Sequence, residues 1–95
     1  MDDATSTLPP QLTDEEGRVL RWPSKRNRAS LRPLVLEYLA QKFEQGKKYK
    51  EREVNAVLRE WHVFDDPALL RRELVDRGYF ARETDGSFYW RTSSL

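Results

Sequence analysis

An α+β fold of three helices closed by a small antiparallel hairpin is what this 95-residue sequence predicts. Three observations carry the prediction. Leu31, Leu34, Val35, Tyr38, Leu39 and Phe43 recur at spacings of three and four, the period of an amphipathic helix. Asp66 followed by Pro67 is a strong helix start, and Leu70 and Leu74 lie one turn apart behind it. Asp85-Gly86 separates two short runs, Tyr79 to Thr84 and Ser87 to Arg91, as a two-residue turn between paired strands.

The elements follow in order. Met1 to about Gln11 is polar, carries Pro9 and Pro10 and has no apolar period, so it reads as disordered. Glu16-Gly17 is a turn signal, and Arg18 to Trp22 is a short extended segment closed by Pro23. Ser30 caps the first helix and Pro33 sits in its first turn, where a missing N–H costs nothing. Gly46 ends that helix, and Lys47 to Lys50 is extended. Glu51 to Trp61 is the second helix, with Val54, Val57, Leu58 and Trp61 as its inner stripe and Glu51 and Glu53 at the positive end of its dipole. His62 to Asp65 is a turn, and Gly78 stops the third helix. The hairpin then packs on the core through Phe80 and through Phe88 or Trp90. Helix, short strand, helix, turn, helix, hairpin is the order of a winged helix-turn-helix, whose third helix is the usual recognition helix and whose hairpin is the wing. The divisions are a disordered acidic tail over 1–16, a basic extended arm over 17–28 and the winged-helix domain over 29–92.

A chain of this length holds one domain and must build a compact core, and 12% aromatic residues fit that demand. No apolar run approaches the roughly 20 residues that span a bilayer, no signal peptide heads the chain, and there is no cysteine; a cytoplasmic setting is expected. The net charge is only +1, but it is unevenly placed. Through Glu16 the chain carries Asp2, Asp3, Asp14, Glu15 and Glu16 and no base; from Arg18 to Arg32 it carries Arg18, Arg21, Lys25, Arg26, Arg28 and Arg32 and no acid. Either these are two surfaces with different partners, or one folds over the other.

Three blocks also resemble a known family: Tyr49-Lys50-Glu51-Arg52-Glu53-Val54-Asn55, then Leu69 to Gly78, then Asp85-Gly86-Ser87-Phe88-Tyr89-Trp90-Arg91. Together with Gly17-Arg18 and Pro23-Ser24-Lys25 they resemble the bacterial domain-of-unknown-function family numbered 2087, over roughly Gly17 to Arg91. The resemblance implies a winged-helix-like domain that occurs alone or joined to helix-turn-helix regulators of transcription. The sequence departs from the family pattern at Lys50, where Ser or Thr is the more usual cap, and at Pro33, which interrupts a basic helical lead-in.

Candidate contacts follow from charge. Arg71 and Arg72, in the middle of the third helix, have the length and donor geometry to reach phosphates or the O6/N7 edge of guanine. The structural alternative pairs Arg72 with Asp76 and Arg71 with a carboxylate of helix two. Asp65 and Asp66, at the end of the helix that usually approaches DNA, count against insertion there. Arg82 on the wing, with Arg91, is placed for a minor groove or for phosphates, or simply solubilises the strand. Lys25, Arg26 and Arg28, with Lys47 and Lys48, are the best electrostatic candidates for sequence-independent backbone contact. Tyr89 is the better of two wing tyrosines for an exposed contact. Asn55 is expected to bond a neighbouring backbone group rather than a base, and His62, the sole histidine, to be structural.

No phosphate-loop glycines, nucleophile elbow or metal-ligand cluster stands in the sequence, so neither an enzyme, a cofactor, a metal nor a small-molecule substrate is expected. The function expected is DNA binding by a regulatory or DNA-associated factor. The alternative is a protein-interaction or self-association module that docks through the third helix and the wing.

Overall fold

The computed structural model describes residues 8–24 and 29–92. It has three helices, α1 (Arg32–Ala40), α2 (Glu51–Glu60) and α3 (Pro67–Asp76), followed by strands β1 (Phe80–Arg82) and β2 (Tyr89–Arg91). This is an α+β layout compatible with a winged helix, as expected. A single-residue strand completes the wing: Tyr49 and Tyr89 exchange both backbone hydrogen bonds at 2.8 Å, so the order across the sheet is Tyr49, β2, β1.

Each helix boundary has a chemical cause. A 3-10 turn, Ala29–Leu31, leads into α1, and Pro33 occupies the first turn. Although Lys50 has no side-chain acceptor, the start of α2 is secured because the Glu53 carboxylate accepts the Lys50 N–H at 2.8 Å. Asp66 caps α3 by accepting the Leu69 N–H at 3.2 Å, with Pro67 next to it. Gly78, at φ 86°, closes α3 in the left-handed conformation, and the N–H groups of Gly78 and Tyr79 bond back to Val75 and Leu74.

The core gathers Val35, Leu36, Leu39 and Phe43 from α1 and its C-terminal extension, Val54 and Leu58 from α2, Leu70 and Leu74 from α3, and Tyr49, Phe80 and Tyr89 from the sheet. Phe43 is its hinge, meeting Tyr49 and Phe80 edge-on at 5.0 and 4.9 Å. The inward stripe of α1 runs Val35, Leu36, Leu39, Ala40, Phe43, so its centre lies one residue later than expected; Leu36 is buried and Leu34, expected inside, is 43% exposed.

Two further expectations are corrected. The sequence predicts a disordered tail through residue 16, but Leu8 and Leu12 are core residues, 5% and 1% exposed, and Pro10–Leu12 is a 3-10 turn. The arm over 17–28 is likewise no free extension up to Ser24. Thr13 pairs with Val19, and Val19 then lies alongside the turn between α2 and α3, accepting from Val63 at 3.0 Å and donating to Trp61 at 2.8 Å. Acidic leader and basic arm therefore fold over one another: Asp14 accepts from the Arg18 backbone and side chain, and Glu16 pairs with Arg18 at 3.1 Å. Periodicity missed this strap because two leucines spaced by proline do not make a helical or strand pattern, yet each fills a site that bulkier elements leave open. Gly17 makes the crossing possible. Its φ is 84°, its carbonyl accepts the Tyr38 hydroxyl at 2.6 Å, and a Cβ there would stand 2.8 Å from that oxygen.

The hairpin has the expected register but a wider turn. Arg82 faces Tyr89 across the strands, yet Asp85 does not have the positive φ that a two-residue turn of this type requires, and the loop closes through Gly86 N–H to Glu83 and Glu83 N–H to Phe88. Asp85 instead accepts the N–H and hydroxyl of Ser87, and these bonds hold its carboxyl below the usual range. Because side chains alternate across a strand, this register puts Phe80, Arg82, Tyr89 and Arg91 on one face and Phe88 and Trp90 on the other. The wing therefore meets the core through Phe80 and Tyr89, not through Phe88 or Trp90.

Leu12→Ala should cost about 2–5 kcal/mol, like the fully buried Leu74→Ala, whereas Leu34→Ala should change stability by about 0.5 kcal/mol or less. Equal effects of Leu12→Ala and Leu34→Ala in urea unfolding would mean the strap does not pack. Burial, and secondarily the Asp14 carboxylate, raises the Tyr38 hydroxyl above its ordinary value of 10.0, and burial with Glu37 raises Tyr79 likewise. The folded chain then keeps protons that the unfolded chain releases near pH 10. This stability is complete below that pH and is lost as pH rises through the higher folded-state values. Thermal unfolding should show the decline, and Tyr38→Phe should make it shallower.

Candidate functional site

The turn between α2 and α3 sets the site. His62 is buried there; its Nε2 accepts the Asp66 N–H at 2.9 Å, which leaves the proton on Nδ1 to donate to the Leu58 carbonyl. The ring thus ties the end of α2 to the start of α3, the structural role expected of it. Asp65 beside it adopts φ 53°, a conformation that aspartate tolerates better than most residues.

With α3 fixed by His62 at one end and by Leu70 and Leu74 along its length, its remaining side chains meet the wing. Arg71, Arg72, Val75 and Asp76 of α3, with Arg82 and Tyr89 of the hairpin, line a pocket of about 250 Å³. Four of the residues singled out from sequence converge here: Arg71, Arg72, Arg82 and Tyr89. Their states differ. Arg71 donates to Asn55 Oδ1 at 2.6 Å and pairs with Glu51 at 3.6 Å, its side chain 20% exposed. This is the local carboxylate partner of the structural alternative, with Asn55 as an additional hold. Arg72 is exposed and has no hydrogen bond or ion pair among the described residues; no pair forms with Asp76. Arg82 is exposed and makes only a 3.5 Å contact with the carbonyl of Glu83. Tyr89, expected as an exposed contact, is 5% exposed, because it shares the inward face of β2, and it lines the pocket.

The lysines stand elsewhere. Lys48 pairs with Glu83 at 3.3 Å and lies over Phe88 and Trp90 on the outer face of the wing, and Lys47 lies 4.9 Å over the Tyr49 ring. Neither lines the α3–wing pocket. Arg91 is spent on structure, donating to the Phe43 carbonyl at 2.9 Å. Arg32 is held by the Pro23 carbonyl at 2.8 Å and the Trp22 ring. Lys25, Arg26 and Arg28 lie outside the described residues.

Asn55, expected to bond a backbone group, instead accepts from the Arg71 side chain. Its signal was present, because Glu51 and Asn55 lie four apart and so share one face of α2, where a guanidinium from the facing helix can meet both. Asp76 was seen only as a partner for Arg72, but it belongs to the pocket as its own acidic member.

The family model described as "Uncharacterized protein conserved in bacteria (DUF2087)" matches residues 18–91, and the chain belongs to that family. No curated protein and no solved structure matches it. The match begins at Arg18, so Leu8 and Leu12 pack onto the domain from outside the matched span. No helix among the described residues is long and apolar enough to cross a membrane.

Asn55→Ala removes a half-buried tie between α2 and α3, not a core group, and should lower stability by about 0.5–1.5 kcal/mol. His62→Ala opens a cavity and strands the Asp66 N–H, while the Leu58 carbonyl keeps its bond from Trp61, so its cost should be clearly larger, about 2 kcal/mol or more. Reversal of that order in chemical denaturation would contradict the tethering assigned to His62.

Proposed function

We propose that this domain is a non-enzymatic DNA-binding module of a transcription-related or DNA-associated factor, acting through the face made by α3 and the wing. The observation that carries the reading is the convergence of Arg71, Arg72 and Arg82 on one pocket, with Arg72 lacking any described partner. Cations brought together from a helix and a strand repel one another, and an anion placed between them relieves the repulsion. In a winged-helix layout, α3 and the hairpin are the elements that approach a duplex.

The contact favoured is with the phosphate backbone rather than with base edges. Asp65 and Asp66 stand exposed at the N-terminal end of α3, where a phosphate would be repelled, so that end is poorly suited to enter a groove. The same acids, with a net charge of only +1, favour a second reading in which the third helix and the wing dock another protein or a second copy of this chain. Salt dependence separates the two from a chain that does neither.

Binding to random-sequence duplex DNA, followed by fluorescence anisotropy from low to physiological salt, tests the proposal. The logarithm of the affinity should fall linearly with the logarithm of salt concentration, by about 0.9 per phosphate contacted. Arg72→Glu with Arg82→Glu should abolish the association at every sequence alike. Absence of salt-dependent binding by the wild type at low ionic strength would sink the DNA reading. A pull-down partner lost in Arg72→Glu would then support the protein-docking reading.

A further inference from the structure

We propose that the α3–wing pocket seats a single phosphodiester group, with Arg71 as a donor positioned in advance by Asn55 and Glu51 and with the Tyr89 hydroxyl as a neutral donor. The inference rests on the DNA reading above and adds the chemical group taken and the part played by each residue.

Arg71 differs from its neighbours in being held before any ligand arrives. Its Nη1 is bound to Asn55 and its Nη2 faces Glu51, so one edge of the guanidinium is occupied. A guanidinium has five N–H donors in a fixed fork, and those not engaged remain for the pocket that Arg71 lines. Asn55 and Glu51 are thus positioning residues. Arg72 and Arg82, exposed on opposite walls, are the mobile pair that close over the anion, and their flexible stems lose freedom when they do.

Tyr89 supplies the second observation. Its ring is buried and its backbone is locked to Tyr49, yet its hydroxyl makes no hydrogen bond among the described residues and is not among the fully buried polar atoms. By contrast the Tyr38 and Tyr49 hydroxyls are each engaged, with Gly17 and Glu44. A hydroxyl without a protein partner, on a residue that lines a pocket with three arginines, is a donor available to an incoming oxygen.

Charge selects among phosphates. Three guanidiniums stand against the carboxylate of Asp76 in the lining and that of Glu51 against Arg71, which leaves one positive charge. A phosphodiester carries one negative charge. A free phosphate or a terminal monoester carries up to two, leaves the filled site net negative beside Asp76 and gives up more hydration on entry. The shared chemistry is the phosphate group, and a nucleic-acid backbone is the source that the charge count fits.

Anisotropy with random-sequence duplex DNA, using the full chain and a salt series, tests this proposal. Arg72→Gln with Arg82→Gln should flatten the log–log salt slope by about 0.9, the value for one phosphate. Tyr89→Phe keeps the buried ring and removes the hydroxyl; it should weaken binding several-fold with the slope unchanged. Asn55→Ala should also weaken binding several-fold at a temperature where circular dichroism shows Asn55→Ala and Arg71→Gln still folded, so that the loss is one of positioning and not of fold. In a parallel NMR titration, the dinucleotide thymidylyl-thymidine, which has one phosphodiester, should shift the Arg71 and Arg72 side-chain signals at lower concentration than inorganic phosphate does. Wild-type binding with an unchanged slope in the arginine variants and unchanged affinity in Tyr89→Phe would overturn the seat and leave the DNA reading standing. No duplex binding by the wild type would overturn both. Equal or stronger response to inorganic phosphate would overturn the choice of the diester.

Discussion

Leu70 and Leu74 decide which way α3 faces, and the functional surface depends on that rotation. Both are fully buried, and turning the helix to bring different residues outward would expose two side chains worth about 1.5–3 kcal/mol each. With them inward, Arg72 and Asp76 must point outward, while Arg71 and Val75 flank the seam and meet α2 or the wing. His62 adds a polar clamp at the start of the same helix, and the strap at Val19 lies along the turn that the clamp secures. Rotation, tilt and starting point of α3 are therefore set by groups remote from the pocket. Such a scaffold allows the pocket residues to vary in charge without loss of the fold.

Much of this was legible in the sequence. Asp66-Pro67, the Leu70–Leu74 pair and Gly78 specify α3 almost residue by residue, because capping, ring geometry and the left-handed stop are local chemistry. The register of the hairpin was legible too, since Asp85-Gly86 lies at its midpoint even though the turn closes one residue wider. What was misassigned, the burial of Tyr89 and the outer placement of Phe88 and Trp90, follows from sorting the wing aromatics by residue type, tyrosine outward and the others inward, and not by strand alternation. The alternation from Phe80 across the register already puts Tyr89, and not its neighbours, on the inward face. The strap was illegible for a different reason. Leu8 and Leu12 carry no period, and their burial depends on a space left by α1 and the α2–α3 turn, a tertiary fact.

The candidate site divides along the same line. That Arg71, Arg72 and Arg82 are cations on α3 and the wing could be read directly, but which of them are free could not. The difference between a tethered Arg71 and an unpaired Arg72 depends on the face of α2 that packs against α3, where Glu51 and Asn55 happen to lie. Lys48 has similarly turned to the outer face of the wing, where Glu83 and two aromatic rings hold it. Residues of one charge in one sequence region have thus been sorted by the fold into structural and available sets, and only the available set can answer to a partner.

The anion site we propose lies, among the described residues, on the outward face of α3 and the inward end of the wing. Side-chain NMR of the arginine Nε–H groups during addition of a short duplex tests it most directly. Perturbation of Arg71, Arg72 and Arg82 is expected, with Arg18 at the strap and Arg91 beneath the hairpin unmoved. Perturbation centred on Arg18, or spread evenly over all arginines, would contradict it.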